Sequence, residues 1–231
     1  MSTDIFSMKL GINSAYLIRG IKGIIMIDAG TPNKIRAFKR KLSNLYINPR
    51  DIKMIVLTHS HFDHAGSSKD IKDLTGAKIV IHESEKTFLE EGSFIMPKGV
   101  NTWGRITRQI LFPFFKKIPF AKPRADIIAS NNEISLSEFG IDGRIIHTPG
   151  HTRGSLSVLL DTGEAFVGCL AHAGFPFRVG SGLPIYAEDI EKVKESWKLL
   201  IDKGARIIFP GHGNPFPVEI IKKKLLHPEE E

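Results

Sequence analysis

The sequence predicts an α/β chain forming a single domain over residues 1–231. Three observations carry this reading. Apolar, β-branched runs of strand length alternate with segments of helical periodicity; residues of metal-ligand type recur directly after several of those runs; and no Pro/Gly/Ser-rich linker divides two composition regimes. In chain order, "SAYLIRG" and "GIIMIDAG" read as paired strands, and "TPNKIRAFKRKLSNLY" reads as a helix opened by Pro32, giving a β-β-α start. "MIVLT" is the next strand, "HAGSSKDIKDLTG" a helix ending near Gly76, "AKIVIH" a strand and "ESEKTFLEEG" a short helix. In the second half, "EISLSEFG", "GRIIHTPG" and "SLSVLLDTGEAFVG" are strand segments. They are followed by the helix "AEDIEKVKESWKLLIDKG", the strand "ARIIFPG" and the helix "PVEIIKKKLL".

Between the halves, residues 94–126 form an insert that breaks the alternation. Trp103, Phe112, Phe114, Phe115 and Phe120 are mixed there with Arg105, Arg108, Lys116, Lys117 and Lys122, and the prolines argue against one continuous helix through it. Two uses compete with that of a basic helix pair covering the core. One is a lid whose Phe114 and Phe115 meet an apolar substrate group. The other is an exposed apolar surface for a homodimer or a peripheral membrane contact.

The formal net charge of +7 favours anionic substrates or acidic partners, but no interleaved aromatic and basic recognition motif accompanies it, so nucleic acid is not an expected partner. The opening "MSTDIFSMKLG" has no basic region followed by an apolar core, and "ILFPFFKKIPF" is broken by lysines and prolines; a soluble, cytoplasmic protein is expected. The single cysteine, Cys169, excludes an internal disulfide and suits a reducing compartment.

"THSHFDHAG" places His59, His61, Asp63 and His64 within six residues after an apolar strand. Helical spacing does not bring all four together, whereas a curled strand-end loop does. Convergent imidazoles and a carboxylate point to a metal: Zn²⁺ accepts both, and at an open position it lowers the pKa of bound water to roughly 7. His151 in "HTPGH", Cys169 in "FVGC" and His212 in "FPGH" repeat the placement after apolar runs, each preceded by a glycine. Ligand sites in α/β sheets gather outside strand ends, so these loops can share one mouth.

In this order and spacing, together with "IDAG" at 27–30 and "TPGHTRGS" at 148–155, the sequence resembles the metallo-β-lactamase superfamily over nearly its whole length. The resemblance implies a four-layer αββα sandwich with the metals at one edge between two sheets. It implies that His59, His61 and His151 bind a first ion and that Asp63, His64 and His212 bind a second. Cys169 stands where many hydrolases of the superfamily carry a bridging aspartate, and where a group of β-lactamases carries a cysteine. Thiolate softness favours zinc, two ions per chain, ahead of iron.

His172 lies three residues beyond Cys169, where the cysteine-bearing β-lactamases often carry a substrate-binding lysine. It is either a substrate contact or an exposed loop histidine. His82 and His227 read as ordinary strand-end and surface residues, and His147 as one that orients a neighbour.

The expected activity is a zinc-dependent hydrolase in which a metal-bound hydroxide, oriented by Asp63 as the catalytic carboxylate, attacks an ester, thioester, lactone or lactam carbonyl of a small molecule. Two alternatives stand beside it: a mononuclear iron dioxygenase acting on persulfides, with two His and one Asp on iron, and a nuclease supported only by charge.

Overall fold

The computed structural model describes residues 4–115, 118, 120–174 and 180–227, with the side chain of Phe112 outside that description. The chain opens β1 (Asp4–Lys9), β2 (Ser14–Arg19), β3 (Ile24–Ile27) and α1 (Ile35–Asn44). It continues β4 (Ile52–Val56), α2 (Phe62–Ala65), α3 (Ser68–Thr75), β5 (Lys78–His82) and α4 (Glu83–Glu91). The insert holds β6 (Lys98–Gly99) and α5 (Thr102–Phe115). The second half runs β7 (Ile127–Ala129), β8 (Ile134–Ser135), β9 (Gly143–His147), β10 (Leu156–Leu160), β11 (Glu164–Ala173), β12 (Ser181–Gly182) and β13 (Tyr186–Ala187). It closes with α6 (Ile190–Asp202), β14 (Ile207–His212), β15 (Phe216–Pro217) and α7 (Glu219–Leu226).

Two sheets result. One has the order β1-β2-β3-β4-β5-β7; the other has the order β15-β14-β11-β10-β9-β8, with β12 paired to β11. Strands β3, β4, β5 and β7 run parallel, as do β11 and β14. Strands sandwiched on both faces read as unbroken apolar runs rather than alternating ones. Thus Ile25 and Ile27 point into the layer between the sheets with Val158 and Phe166, while Met26 faces the opposite way with Phe38 and Leu42 of α1. On the far side Val167 and Leu159 pack with Trp197 and Leu200 of α6 and Ile221 of α7. This is the four-layer αββα arrangement. Tyr16 on β2 ties the layers by donating its hydroxyl to the Pro210 carbonyl of β14 at 2.7 Å.

Several local expectations are corrected. The opening is β-β-β-α, since β1 precedes the first expected strand. Pro32 lies outside α1, whose N-cap is Lys34; it forms part of the turn that packs against Gly66. The helix expected from 64 to 76 is two helices, broken at Gly66 and Ser67, with the Ser67 hydroxyl accepting the Lys34 N–H and donating to the Thr31 carbonyl. Within the insert, one helix, α5, runs to Phe115 with Pro113 in its last turn rather than as a helix pair; Lys116 and Lys117 lie outside the described residues. The β6–β13 pairing, Tyr186 with Gly99, anchors the insert beside the site.

Candidate metal centre

All seven residues expected as ligands meet at one edge between the sheets, and each is buried. Strand β4 delivers Thr58, His59 and Ser60. His61 is extended at the N-cap of α2, and the first turn of that helix turns Asp63 and His64 inward. The loop after β9 brings His151, β11 brings Cys169 and the last residue of β14 is His212. Close approach requires glycine at two of these points. A Cβ at Gly211 would lie 2.6 Å from His64 Cε1, and one at Gly168, at φ +53°, would collide with the Thr58 hydroxyl oxygen.

One donor atom from each of His59, His61 and His151 lies within 4.8 Å of the other two, and the same holds for Asp63, His64 and His212. Cys169 stands between these trios. Its sulfur is 3.1 Å from His64 Nε2, and it groups with His59 and His64 on one side and with His172 and His212 on the other.

The outer hydrogen bonds decide which ring nitrogen faces inward. Nδ1 of His151 donates to the Tyr186 carbonyl (2.8 Å), and Nδ1 of His212 donates to the Ile12 carbonyl (3.1 Å). Nδ1 of His64 lies 2.7 Å from Asp28 Oδ2, and Nε2 of His61 donates to the Ile95 carbonyl (3.0 Å). His59 Nδ1 meets the Thr58 hydroxyl at 3.0 Å, and that hydroxyl donates on to Asp28. Each outer partner turns the other ring nitrogen inward, the arrangement that metal-binding histidines adopt. His59 Nε2 and His61 Nδ1 face each other at 3.0 Å, and His151 Nε2 is 3.3 Å from His61 Nδ1. Lone pairs that close repel unless a cation lies among them, so the residues fit a metal ion.

Electrostatics divides the two trios. Burial, with the neighbouring imidazoles adding to it, holds His59 well below the usual histidine range, and burial with His151 lowers His61 to about 4. Both are neutral at pH 7, as ligation requires. Burial would also lower His64 and His212, but Cys169, then Asp28 and Asp63, raise His64 well above the usual value. Cys169 and Asp63 together raise His212 to about 9. Conversely, burial would raise Asp63 and Cys169, yet the adjacent His64 and His212 hold both acids well below their ordinary values. In the metal-free chain, protons on the second trio stand where a cation would.

Sequence reasoning named the members of both trios and Cys169 as ligands, but not His172. It gave no role to Asp28, although "IDAG" was part of the resemblance. Asp28 adopts φ 58° and accepts the Thr58 N–H at 2.8 Å while holding His64. It also missed Glu85, a buried carboxylate on α4 that accepts the Ser60 N–H at 3.0 Å.

His172 belongs to a strand and is buried, not on an exposed loop; burial lowers its pKa to about 4. Phe115 lines the mouth together with Ile12, Phe62, Phe94, Met96 and Tyr186. Phe114 is 69% exposed and turns outward, because consecutive helical residues diverge by about 100°. His147 Nε2 donates to the Arg153 carbonyl at 2.8 Å and its ring stacks on His82 at 4.1 Å; neither belongs to a donor cluster among the described residues.

Residues 8–212 match the sequence model of the metallo-β-lactamase superfamily, and the chain belongs to that superfamily. A probable metallo-hydrolase of Methanocaldococcus jannaschii is 29% identical over 214 residues, covering 87% of each chain. A metallo-β-lactamase fold-containing protein of Sulfurisphaera tokodaii is 27% identical over 219 residues, 93% of this chain and 77% of the relative. Among solved structures, the B3 metallo-β-lactamase BLEG-1 superposes with a TM-score of 0.70 at 20% identity, covering 97% of both chains, a likeness of fold.

Proposed function

We propose that the chain is a dinuclear zinc hydrolase acting on an ester, thioester, lactone or lactam carbonyl of a small molecule. The observation that carries the reading is the convergence of inward imidazole lone pairs from His59, His61 and His151 beside a second set of Asp63, His64, His212 and Cys169. Seven donors exceed what one four-coordinate ion with an open position uses. When bound, zinc supplies Lewis acidity for a carbonyl oxygen and brings the pKa of a water ligand to roughly 7.

The chain's residues do the rest. Asp63 Oδ2, 3.1 Å from His212 Nε2 and 3.7 Å from His64 Nε2, accepts a hydrogen bond from the attacking water and fixes its direction. Asp28 and the carbonyls of Ile95, Tyr186 and Ile12 keep the imidazoles from rotating. Phe115, Phe94 and Met96 form an apolar rim that excludes bulk water and receives an apolar part of the substrate. The exposed apolar residues of α5, Ile106, Ile110 and Phe114, would meet a second copy of the chain or a membrane surface. No described helix is long and apolar enough to cross a membrane; with its one cysteine the protein suits the cytoplasm.

Metal analysis of freshly purified protein, followed by a panel of thioester, lactone, lactam and phosphodiester substrates, tests the reading. Two zinc ions per chain and a carbonyl substrate whose turnover Asp63→Asn abolishes are expected. One iron per chain with persulfide oxidation would replace it by the dioxygenase alternative.

A further inference from the structure

Cys169 and His172 both belong to β11 and are three residues apart, a spacing that sends side chains to opposite faces of a regular strand. Both nevertheless line the same mouth. The cause is a break in register. Between Gly168 and His172, β11 uses four residues where its parallel neighbour β14 uses two, Pro210 to His212. Extra residues of this kind re-aim side chains and recur beside functional sites. Here the result is that His172 becomes the direct ladder partner of His212, with ring centroids 5.1 Å apart, while β12 presents Gly182 on its other side. Pairing on both sides fixes the backbone, so the inward aim of His172 belongs to the sheet rather than to a loop. One donor atom from each of Cys169, His172 and His212 lies within 4.8 Å of the other two.

We propose that His172 is an eighth protein donor to the metal centre, holding the second ion together with Cys169 and His212 rather than contacting substrate. The proposal rests on reading the mouth as a two-metal centre, and it is independent of which bond is hydrolysed. A thiolate with two imidazoles is a soft, zinc-selective set. With it, three donors of the second ion come from β11 and β14, beside Asp63 and His64 from the first half of the chain.

The test uses holoprotein and the variants His172→Gln and His172→Ala. Zinc content is measured first, then release of each ion to a chelator, and finally the visible spectrum of the cobalt(II)-loaded forms. The expected result is two ions in the parent and at least tenfold weaker retention of the second ion in both His172 variants. Their cobalt spectra should be altered while first-ion release and circular dichroism stay unchanged. Two ions retained at parental affinity in a folded His172→Gln, with an unchanged cobalt spectrum, would overturn the proposal alone, and a raised KM would then assign the residue to substrate. A parent that binds one ion or none would overturn the two-metal reading and the proposal with it.

Discussion

Glu85 on α4 grips Ser60, the residue between His59 and His61: its Oε2 accepts the Ser60 N–H at 3.0 Å and the Ser60 hydroxyl as well. Its opposite flank lies against Gly154, where a Cβ would come 2.5 Å from Glu85 Cγ, in the loop that also carries His151. One carboxylate that touches no donor therefore sets the spacing of all three donors in the first trio. Glu85→Ala leaves buried Ser60 groups unpaired and should cost about 1–3 kcal/mol in urea unfolding of the holoprotein. Retention of the first ion should fall about tenfold, as outer-shell losses do. Unchanged stability and zinc release would show that Glu85 is not a support.

Asp28 acts on the second trio in the same way. Asp28→Asn keeps a residue that tolerates φ 58° but removes the charge facing His64 Nδ1 and leaves one acceptor oxygen where Thr58 and His64 now use two. Second-ion affinity should drop about 10–100-fold with the fold retained. Chelator competition checks this; parental affinity would mean that His64 is oriented without Asp28.

The opposite shifts within the site predict a pH optimum for the metal-free chain. His61, at about 4 against an ordinary 6.5, must be charged on unfolding below 6.5, so stability falls as pH drops from 6.5 towards 4. His212, raised to about 9, contributes stability that is complete below 6.5 and lost as pH rises through 9. Between these limits the proton held by His64 offsets the one Cys169 has released, leaving the His212 term in charge. The melting temperature of chelator-treated protein should peak near pH 6.5. Because an ion must displace the His212 proton, the rise in melting temperature on adding zinc should grow between pH 6.5 and 9. A zinc increment independent of pH over that range would contradict a protonated His212.

The two phenylalanines at the end of α5 should separate in function. Phe115→Ala opens the rim and should lower kcat/KM for substrates with a bulky apolar group at least about tenfold, with small polar substrates less affected. Phe114→Ala should leave both rates alone and act, if anywhere, on dimerisation or liposome binding. Steady-state kinetics on the two single variants, with sedimentation and vesicle pull-down, decides; equal kinetic losses would mean the helix is not oriented as described.

The strands buried on both faces were legible because nothing polar interrupts them, as in "GIIMI" and "MIVL". Strand β1, "DIFSMK", escaped because it is an edge strand with exposed Asp4, Ser7 and Lys9 and pairs only with β2. Pro113 hid the end of α5, since a proline in a last turn removes one hydrogen bond without stopping the helix. The first four donors could be read from their crowding, and His151, Cys169 and His212 from their recurrence after apolar runs. Glu85, and the carbonyls of Tyr186 and Ile12, could not. The first reaches across twenty-five positions to a serine, and the carbonyls act through backbone atoms that every residue carries. The inward turn of His172 depends on a register break that no residue pattern announces.

The donors divide by position: His59, His61, Asp63 and His64 arrive within the first 64 residues, and His151, Cys169 and His212 only after residue 150. No short loop can close such a centre; the first trio joins His59 to His151 and the second joins Asp63 to His212, the kind of long-range contact that forms late in folding. During synthesis, the early cluster emerges while its partners are still unmade, with half a coordination sphere to offer. Metal capture in refolding should therefore trail compaction of the sheets, and the arrival of the ion becomes a clock for the docking of one half on the other.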